Sequence, residues 1–206
     1  MIRFYHAPGT RGVRPIWLCE ELGINYEVEM IEFTQEFRAT PEWRKISPLG
    51  KVPVLVDTAN DLLMYESCTM VQYLIDCYGE GRLQPVPGTP EHAIYQQWNW
   101  FAESTFARPL GEIVNHSREF PGEKRISAVV AEMQNRGEQC AVAVGDAIGD
   151  KAFILGDDFS AADINLGYSI MLAEKFYRMD YQKASSPTGK DYPRGRHLSG
   201  PQVNSL

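Results

Sequence analysis

Two short segments of the chain carry residues that together could hold a peptide ligand. The first is Gly50 to Leu55, in which Pro53 lacks a backbone donor and precedes an apolar run typical of a strand. We predict a cis Val52-Pro53 bond and a Val52 backbone left to pair with an extended ligand; the alternative is a plain edge-strand proline. The second segment is Glu66-Ser67, which opens a helical pattern whose first amides can bind a carboxylate.

A small α/β domain is predicted around these segments. Residues 2 to 5 alternate as a strand, and a helix over 12–22 has Pro15 in its first turn and Gly23 after its end. A second strand and a short helix follow, then a hairpin in which strands at Val52 to Val56 and Leu62 to Met64 flank Asn60-Asp61, and then a further helix. The order β-α-β-α-β-β-α is that of the thioredoxin fold, an α/β architecture with helices on both faces of a small sheet.

The remaining residues predict an all-α helical domain. Residues 81–90 are rich in proline and glycine, so they indicate a linker between a first domain at 1–80 and a helical domain at 91–180. Apolar residues recur at helical spacing through the second domain. Residues 181–206 are polar and interrupted by proline, so we expect an irregular tail there.

The composition is typical of a globular protein in the cytoplasm. Of the 206 residues, 44% are hydrophobic and 23% are charged, and no apolar run approaches the roughly 20 residues that span a bilayer. The net charge of -7 disfavours binding to nucleic acid and to acidic membranes, which are themselves negatively charged, so we expect neither as a partner. The four cysteines lack metal-site spacing and any Cys-x-x-Cys pair, which predicts reduced packing residues and no metal.

Four motifs in this order resemble those of the cytosolic glutathione transferase family. They are Gly50 to Leu55, Tyr65 to Ser67, Leu18 to Gly23 and Ser160 to Asp163. The last is a capping-box signature, which predicts that the Ser160 hydroxyl accepts the Asp163 amide while the Asp163 side chain reaches back. The resemblance implies a thioredoxin-like domain that holds glutathione, an all-helical domain that supplies a pocket for a small hydrophobic electrophile, and usually a homodimer. It also implies a cytoplasmic detoxification enzyme that needs no cofactor besides glutathione as co-substrate.

The resemblance assigns the glutathione contacts by motif position. Val52, next to Pro53, would pair its backbone with the cysteinyl part of the tripeptide. Glu66 and Ser67 would hold the γ-glutamyl end.

Three basic residues are further candidates for contacts with glutathione. Arg11 lies in the turn before the first helix, Arg14 lies in its first turn, and Lys51 precedes Val52. For Arg14 and Lys51 the alternative is a solvated surface position.

The chemistry of the family needs an activated thiol. A thiol with a pKa of about 8.5 is only a few per cent ionised at pH 7, and lowering that pKa by about two units requires roughly 2.7 kcal/mol. The first helix can supply about 0.3 to 2 kcal/mol through its N-terminus, and a hydroxyl hydrogen bond to the thiolate about 1.5 to 3 kcal/mol more. Aligning the helix on Leu18 to Gly23 puts Thr10 where serine-type relatives have their hydroxyl, so Thr10 is the first candidate for the donor.

Thr10 could have another role, and other residues could donate to the thiolate. Thr10 could instead cap the first helix with its hydroxyl. Tyr5 and His6, at the strand end, could be donors if the turn folds differently; otherwise Tyr5 is a packing aromatic and His6 a structural residue. Cys19 lies too far inside the helix to meet a thiol at its start, which disfavours a cysteine-type glutathione oxidoreductase.

Two functions are compatible with these residues. The first is an enzyme that conjugates the glutathione thiolate to small electrophiles. The second is a non-catalytic module of the same fold that binds glutathione or a protein. Threonine at the thiol position permits the second function, and so does the tail, in which the family's final packed helix is expected to be missing.

Overall fold

The computed structural model describes residues 1–177 of the chain. These residues divide into two compact units, with the boundary between residues 84 and 85. No helix within 1–177 is long and apolar enough to cross a membrane. The irregular tail expected at 181–206 lies outside the described residues.

The first unit contains a mixed sheet of four strands. Their bounds are β1 Ile2–His6, β2 Tyr26–Met30, β3 Val54–Asp57 and β4 Leu62–Met64. The strands lie in the order β2-β1-β3-β4, with β1 parallel to β2 and β3 antiparallel to β1 and β4. Phe4 and His6 are buried on one face of β1, and Tyr5 between them points to the other face because strand side chains alternate.

Four helices complete the first unit. Their bounds are α1 Val13–Leu22, α2 Gln35–Ala39, α3 Pro41–Ile46 and α4 Ser67–Tyr78. α1 ends as predicted at Gly23, whose φ of 68° is the left-handed conformation that glycine adopts without strain. The thioredoxin-like fold is confirmed, with α2 as an element that the sequence pattern missed.

The described part of the second unit is mainly helical. Its α-helices are α5 Pro90–Trp100, α6 Arg108–Glu119, α7 Ser127–Ile148 and α8 Ala161–Tyr177, with a π-helix at Phe101–Ala107 and a 3-10 turn at Gly122–Lys124. The Ser169 hydroxyl donates to the Ala102 carbonyl over 2.9 Å, and the Cys140 thiol lies 3.6 Å from the Thr105 carbonyl. Side chains of α7 and α8 thus contact carbonyls of the π-helix.

The capping box before α8 forms only in part. Asp163 reaches back to accept the Ser160 amide at 2.9 Å and also accepts the Ile154 amide at 2.8 Å. The Ser160 hydroxyl, however, donates to the same carboxylate at 2.8 Å, while the Asp163 amide bonds the Ser160 carbonyl. The predicted role of the Ser160 hydroxyl as acceptor for that amide is therefore wrong.

Candidate functional site

Three segments of the first unit meet at one end of its sheet. Because β3 is antiparallel to β1 and β4, the C-terminal ends of β1 and β4 lie beside the N-terminal end of β3. The chain leaves β1 into the turn that holds Thr10, enters β3 through Val52-Pro53 and leaves β4 toward Glu66 and Ser67. The topology thus brings the three predicted parts of the glutathione site to the same end of the sheet.

Arg14 and Ser67 connect the first turns of α1 and α4. Arg14 is fully buried, and its Nη1 atom donates a hydrogen bond of 3.1 Å to Ser67 Oγ, which is also buried. A solvated surface position for Arg14, one of the two alternatives, is therefore wrong. Two helix N-termini and the Arg14 guanidinium lie together here. The helix N-termini and the guanidinium each favour an anionic ligand group. Lys51, by contrast, is exposed.

The segment before β3 presents the Val52 backbone. The Val52-Pro53 peptide bond is cis, as predicted. The Val52 side chain packs in an apolar cluster with Ala7, Trp43 and Val54. Among residues 1–177, no hydrogen bond uses the Val52 amide or carbonyl. An extended ligand could pair with both groups.

The loop ahead of Val52 is held by side chains whose role the sequence pattern does not reveal. The Ser47 hydroxyl accepts the Lys51 amide at 2.9 Å and donates to the Lys51 carbonyl at 2.8 Å. Arg38 Nε donates to the Gly50 carbonyl at 2.8 Å. Gly50 has a φ of 61°, and a Cβ there would lie 2.5 Å from the Arg38 carbonyl, so the tight turn requires glycine. The turn residues Ser47 to Gly50 were the only signal in the sequence.

Glu66 adopts a strained backbone at the start of α4. Its φ of 77° and ψ of 101° lie outside the regions that residues with a side chain normally occupy. Its carbonyl accepts the Met70 amide at 2.9 Å, and its side chain is exposed. Strain of this kind is concentrated at ligand sites, and the exposed carboxylate is available to a cationic group such as an α-amine.

Thr10 lies in the turn between β1 and α1 and is partly buried. Its hydroxyl donates to the Ala7 carbonyl at 2.7 Å and lies 3.4 Å from His6 Nδ1. The cap position of α1 is Gly12, and no side chain caps the helix, so the alternative that Thr10 caps α1 is not realised. Arg11 lies beside it, also partly buried.

Of the alternatives to Thr10, His6 faces the Thr10 hydroxyl, whereas Tyr5 and Cys19 are placed differently. The Tyr5 ring packs edge-on against Trp43 with centroids 5.6 Å apart, on the sheet face opposite to His6. This placement disfavours Tyr5 as a donor at the turn. Burial raises the pKa of the Cys19 thiol to about 12, so Cys19 is not a ready nucleophile. In the described residues no cluster of His, Cys, Asp and Glu could hold a metal ion.

Comparison with known sequences finds glutathione S-transferases. Residues 1–76 match the family model of the "Glutathione S-transferase, N-terminal domain". "Glutathione S-transferase 1" of Schizosaccharomyces pombe is 26% identical over 200 residues, which cover 92% of this chain and 85% of that protein. "Glutathione S-transferase 3" of the same yeast is 31% identical over 105 residues, but the match spans only 42% of its length and 51% of this chain. "Transcriptional regulator URE2" of Saccharomyces cerevisiae is 28% identical over 130 residues, which cover 61% of this chain and 36% of that protein.

Comparison with solved structures finds the same fold. The glutathione transferase URE2P8 of Phanerochaete chrysosporium, solved with oxidized glutathione, superposes with a TM-score of 0.78 at 23% identity, over 89% of this chain and 83% of that one. URE2P6 of the same fungus, also solved with oxidized glutathione, gives a TM-score of 0.74 at 26% identity, over 85% and 80%.

Proposed function

The chain belongs to the glutathione S-transferase family, and from this premise we propose that it binds glutathione in its first unit and conjugates the thiolate to small hydrophobic electrophiles. The observation that carries the proposal is the meeting of Thr10, Val52 and Ser67 at one end of the sheet. We also propose that the protein acts in the cytoplasm as a homodimer, as the family resemblance implies.

The two ends of the site suit the two ends of the tripeptide. The Ser67 hydroxyl, the first amides of α4 and the nearby Arg14 guanidinium suit the α-carboxylate of the γ-glutamyl residue. The exposed Glu66 carboxylate suits its α-amine. The Val52 amide and carbonyl suit the cysteinyl backbone as an added strand. The thiol would then lie near the turn into α1.

Thr10 would stabilise the thiolate by turning its hydroxyl proton from the Ala7 carbonyl toward the sulfur. In the structure this proton is donated to the Ala7 carbonyl, which also accepts the Thr10 amide at 3.3 Å. If the hydroxyl rotates toward sulfur, the Ala7 carbonyl therefore still accepts the Thr10 amide and is not left without a hydrogen bond. The thiol proton leaves to solvent. The thiolate sulfur forms the new bond to the electrophilic carbon, and the bond from that carbon to its leaving group breaks, so that a chloronitroarene releases chloride. One such hydrogen bond contributes about 1.5 to 3 kcal/mol of the roughly 2.7 kcal/mol required.

A non-catalytic glutathione-binding or protein-interaction module is the second candidate. The engagement of the Thr10 hydroxyl by Ala7 favours it, because a hydroxyl that keeps this bond cannot donate to sulfur. The similarity to a protein named as a transcriptional regulator points the same way.

A paired experiment separates the two functions. Retention on immobilised glutathione reports binding, and conjugation of a chloronitroarene with free glutathione reports turnover. The Thr10→Val protein serves as control, since it keeps the shape of the side chain but removes the hydroxyl. We expect retention of both proteins and faster conjugation by the parent. Retention of both with no rate above the uncatalysed reaction would favour the second function as a glutathione-binding module. No retention would contradict glutathione binding, and with it the conjugation reaction, and would leave only a protein-interaction module.

A further inference from the structure

His6 is enclosed by the turn that leads into α1. Only 3% of its surface is exposed, although it is a polar residue at the end of a strand. A Cβ placed on Gly12 would lie 2.2 Å from His6 Nδ1, closer than any side chain can approach. Gly12 has φ -61° and ψ -19°, an ordinary right-handed conformation that alanine adopts readily. Space for the imidazole ring, and not backbone conformation, therefore requires glycine at this position.

The His6 ring faces the hydroxyl of Thr10. Nδ1 lies 3.4 Å from Thr10 Oγ1, and the hydroxyl proton is already donated to the Ala7 carbonyl over 2.7 Å. A hydroxyl has one proton and two lone pairs, so Oγ1 can only accept from the ring in this arrangement. Burial lowers the pKa of His6, so the imidazole is neutral near pH 7 and carries one ring proton. The contact therefore favours the tautomer with that proton on Nδ1.

We propose that His6 is a positioning residue for thiol activation, which donates its Nδ1 proton to Thr10 Oγ1 and so directs the Thr10 hydroxyl proton toward the sulfur of bound glutathione. The inference rests on the proposed function, in which Thr10 is the thiolate donor. The resulting chain runs from Nδ1-H to Oγ1 and from Oγ1-H to the thiolate. Each bond in such a chain polarises the next, and catalytic hydrogen bonds commonly shorten when substrate is in place. No proton passes between the residues. The opposite tautomer would accept the Thr10 proton and compete with sulfur.

Three variants test the inference. His6→Leu removes the donor but fills the space. His6→Asn keeps an N-H donor at about the distance of Nδ1 from the backbone. Gly12→Ala displaces the ring without altering the chemistry of either partner. Each is compared with the parent by ultraviolet titration of the thiolate with glutathione bound, by the kcat for conjugation, and by the Kd of glutathione.

We expect His6→Leu and Gly12→Ala to raise the pKa of the bound thiol by about half a unit to one unit. The kcat near neutral pH should fall about three- to tenfold, with the Kd of glutathione within about twofold of the parent. His6→Asn should restore most of the kcat. In a Thr10→Val background, His6→Leu should have no further effect on the thiol pKa, because its action passes through Thr10.

The outcomes distinguish this inference from the proposed function. If Thr10→Val raises the thiol pKa and His6→Leu does not, the role of His6 is overturned while Thr10 remains the donor. If Thr10→Val leaves the pKa unchanged in a protein that still binds glutathione, both assignments are overturned. Should His6→Leu fail to fold, the ring nitrogen chemical shifts of His6 in the parent decide: a proton on Nδ1 supports the inference, and a proton on Nε2 overturns it.

Discussion

Arg14 Nη1 donates a hydrogen bond of 3.1 Å to Ser67 Oγ, which ties the first turn of α1 to the first residue of α4 across 53 positions of sequence. Arg14 is fully buried, so its guanidinium is held in a fixed position beside two helix N-termini. Hydrogen bonds to charged groups are stronger in such surroundings than in water. The pair therefore orients the Ser67 hydroxyl and adds positive potential where a ligand carboxylate would lie.

Removing either member of this pair should weaken glutathione binding. Arg14→Met retains much of the buried stem but loses the guanidinium, and Ser67→Ala loses the hydroxyl. We expect each to cost about 1 to 3 kcal/mol of binding free energy, and the double variant to cost less than the sum because the residues act together. Isothermal titration calorimetry measures these values. Lys45→Met, which removes an exposed positive charge from α3, is the matched control. Strict additivity would contradict coupling between Arg14 and Ser67.

Two substitutions of Glu66, whose backbone is strained, should differ in protein stability but not in glutathione binding. Its φ of 77° costs a residue with a side chain about 1 to 3 kcal/mol, whereas glycine adopts this φ without that cost. We expect Glu66→Gly to be more stable than Glu66→Ala by about 1 kcal/mol, although glycine loses more backbone entropy on folding.

Both Glu66 variants lack the carboxylate, so both should bind glutathione more weakly than the parent by about 1 to 3 kcal/mol. Urea unfolding and calorimetry on the same samples measure the two effects. A glycine variant less stable than the alanine variant would show that the backbone at Glu66 is relaxed in solution.

Much of the fold could be predicted because its signals are local. The helix α1 is bounded by turn residues before it and by Gly23 after it, and both are read directly from the sequence. The strand β3 begins at Val54, two residues later than the expected start at Val52. Pro53 explains the difference, since it has no amide to donate to the sheet.

The parts of the site that escaped prediction depend on long-range contacts. Arg14 lies in the first turn of a helix, where an arginine is usually solvated, and only the position of Ser67 reveals why it is buried. The space between His6 and Gly12 likewise exists only after β1 and α1 have packed. Neither the Arg14–Ser67 hydrogen bond nor the packing of His6 on Gly12 produces a periodic pattern in the sequence.

A buried carboxylate supports the opposite end of β3. Asp57 is fully buried and accepts hydrogen bonds from the Tyr73 hydroxyl at 2.6 Å, from Asn60 Nδ2 at 2.8 Å, from the Ala59 amide at 2.9 Å and from the Tyr78 hydroxyl. Burial alone would raise the pKa of Asp57, but these donors outweigh it and lower the pKa to about 2.

The lowered pKa of Asp57 predicts a pH-dependent contribution to stability. A carboxylate whose pKa is lower in the folded than in the unfolded state stabilises the fold above the unfolded value of 3.8, and this contribution is lost as pH falls toward 2. We expect the parent to exceed Asp57→Asn in the free energy of unfolding at pH 6, and the difference to shrink by about 2 kcal/mol by pH 2. Urea unfolding across this range measures it. A constant difference would mean that Asp57 keeps an ordinary pKa.

The choice between Thr10 and Tyr5 as thiol donor can be made with three variants. Thr10 lies at the turn into α1, whereas the Tyr5 ring packs on Trp43 at the other face of the sheet. If the Thr10 hydroxyl supplies about 1.5 kcal/mol to the thiolate, Thr10→Val should raise the pKa of bound glutathione by roughly one unit and lower the rate near neutral pH about tenfold. Thr10→Ser keeps the hydroxyl and should keep most of the activity, and Tyr5→Phe should titrate as the parent does. Thiolate absorbance with glutathione bound gives each curve directly. A parent-like curve for Thr10→Val together with a raised pKa for Tyr5→Phe would move the donor role to Tyr5.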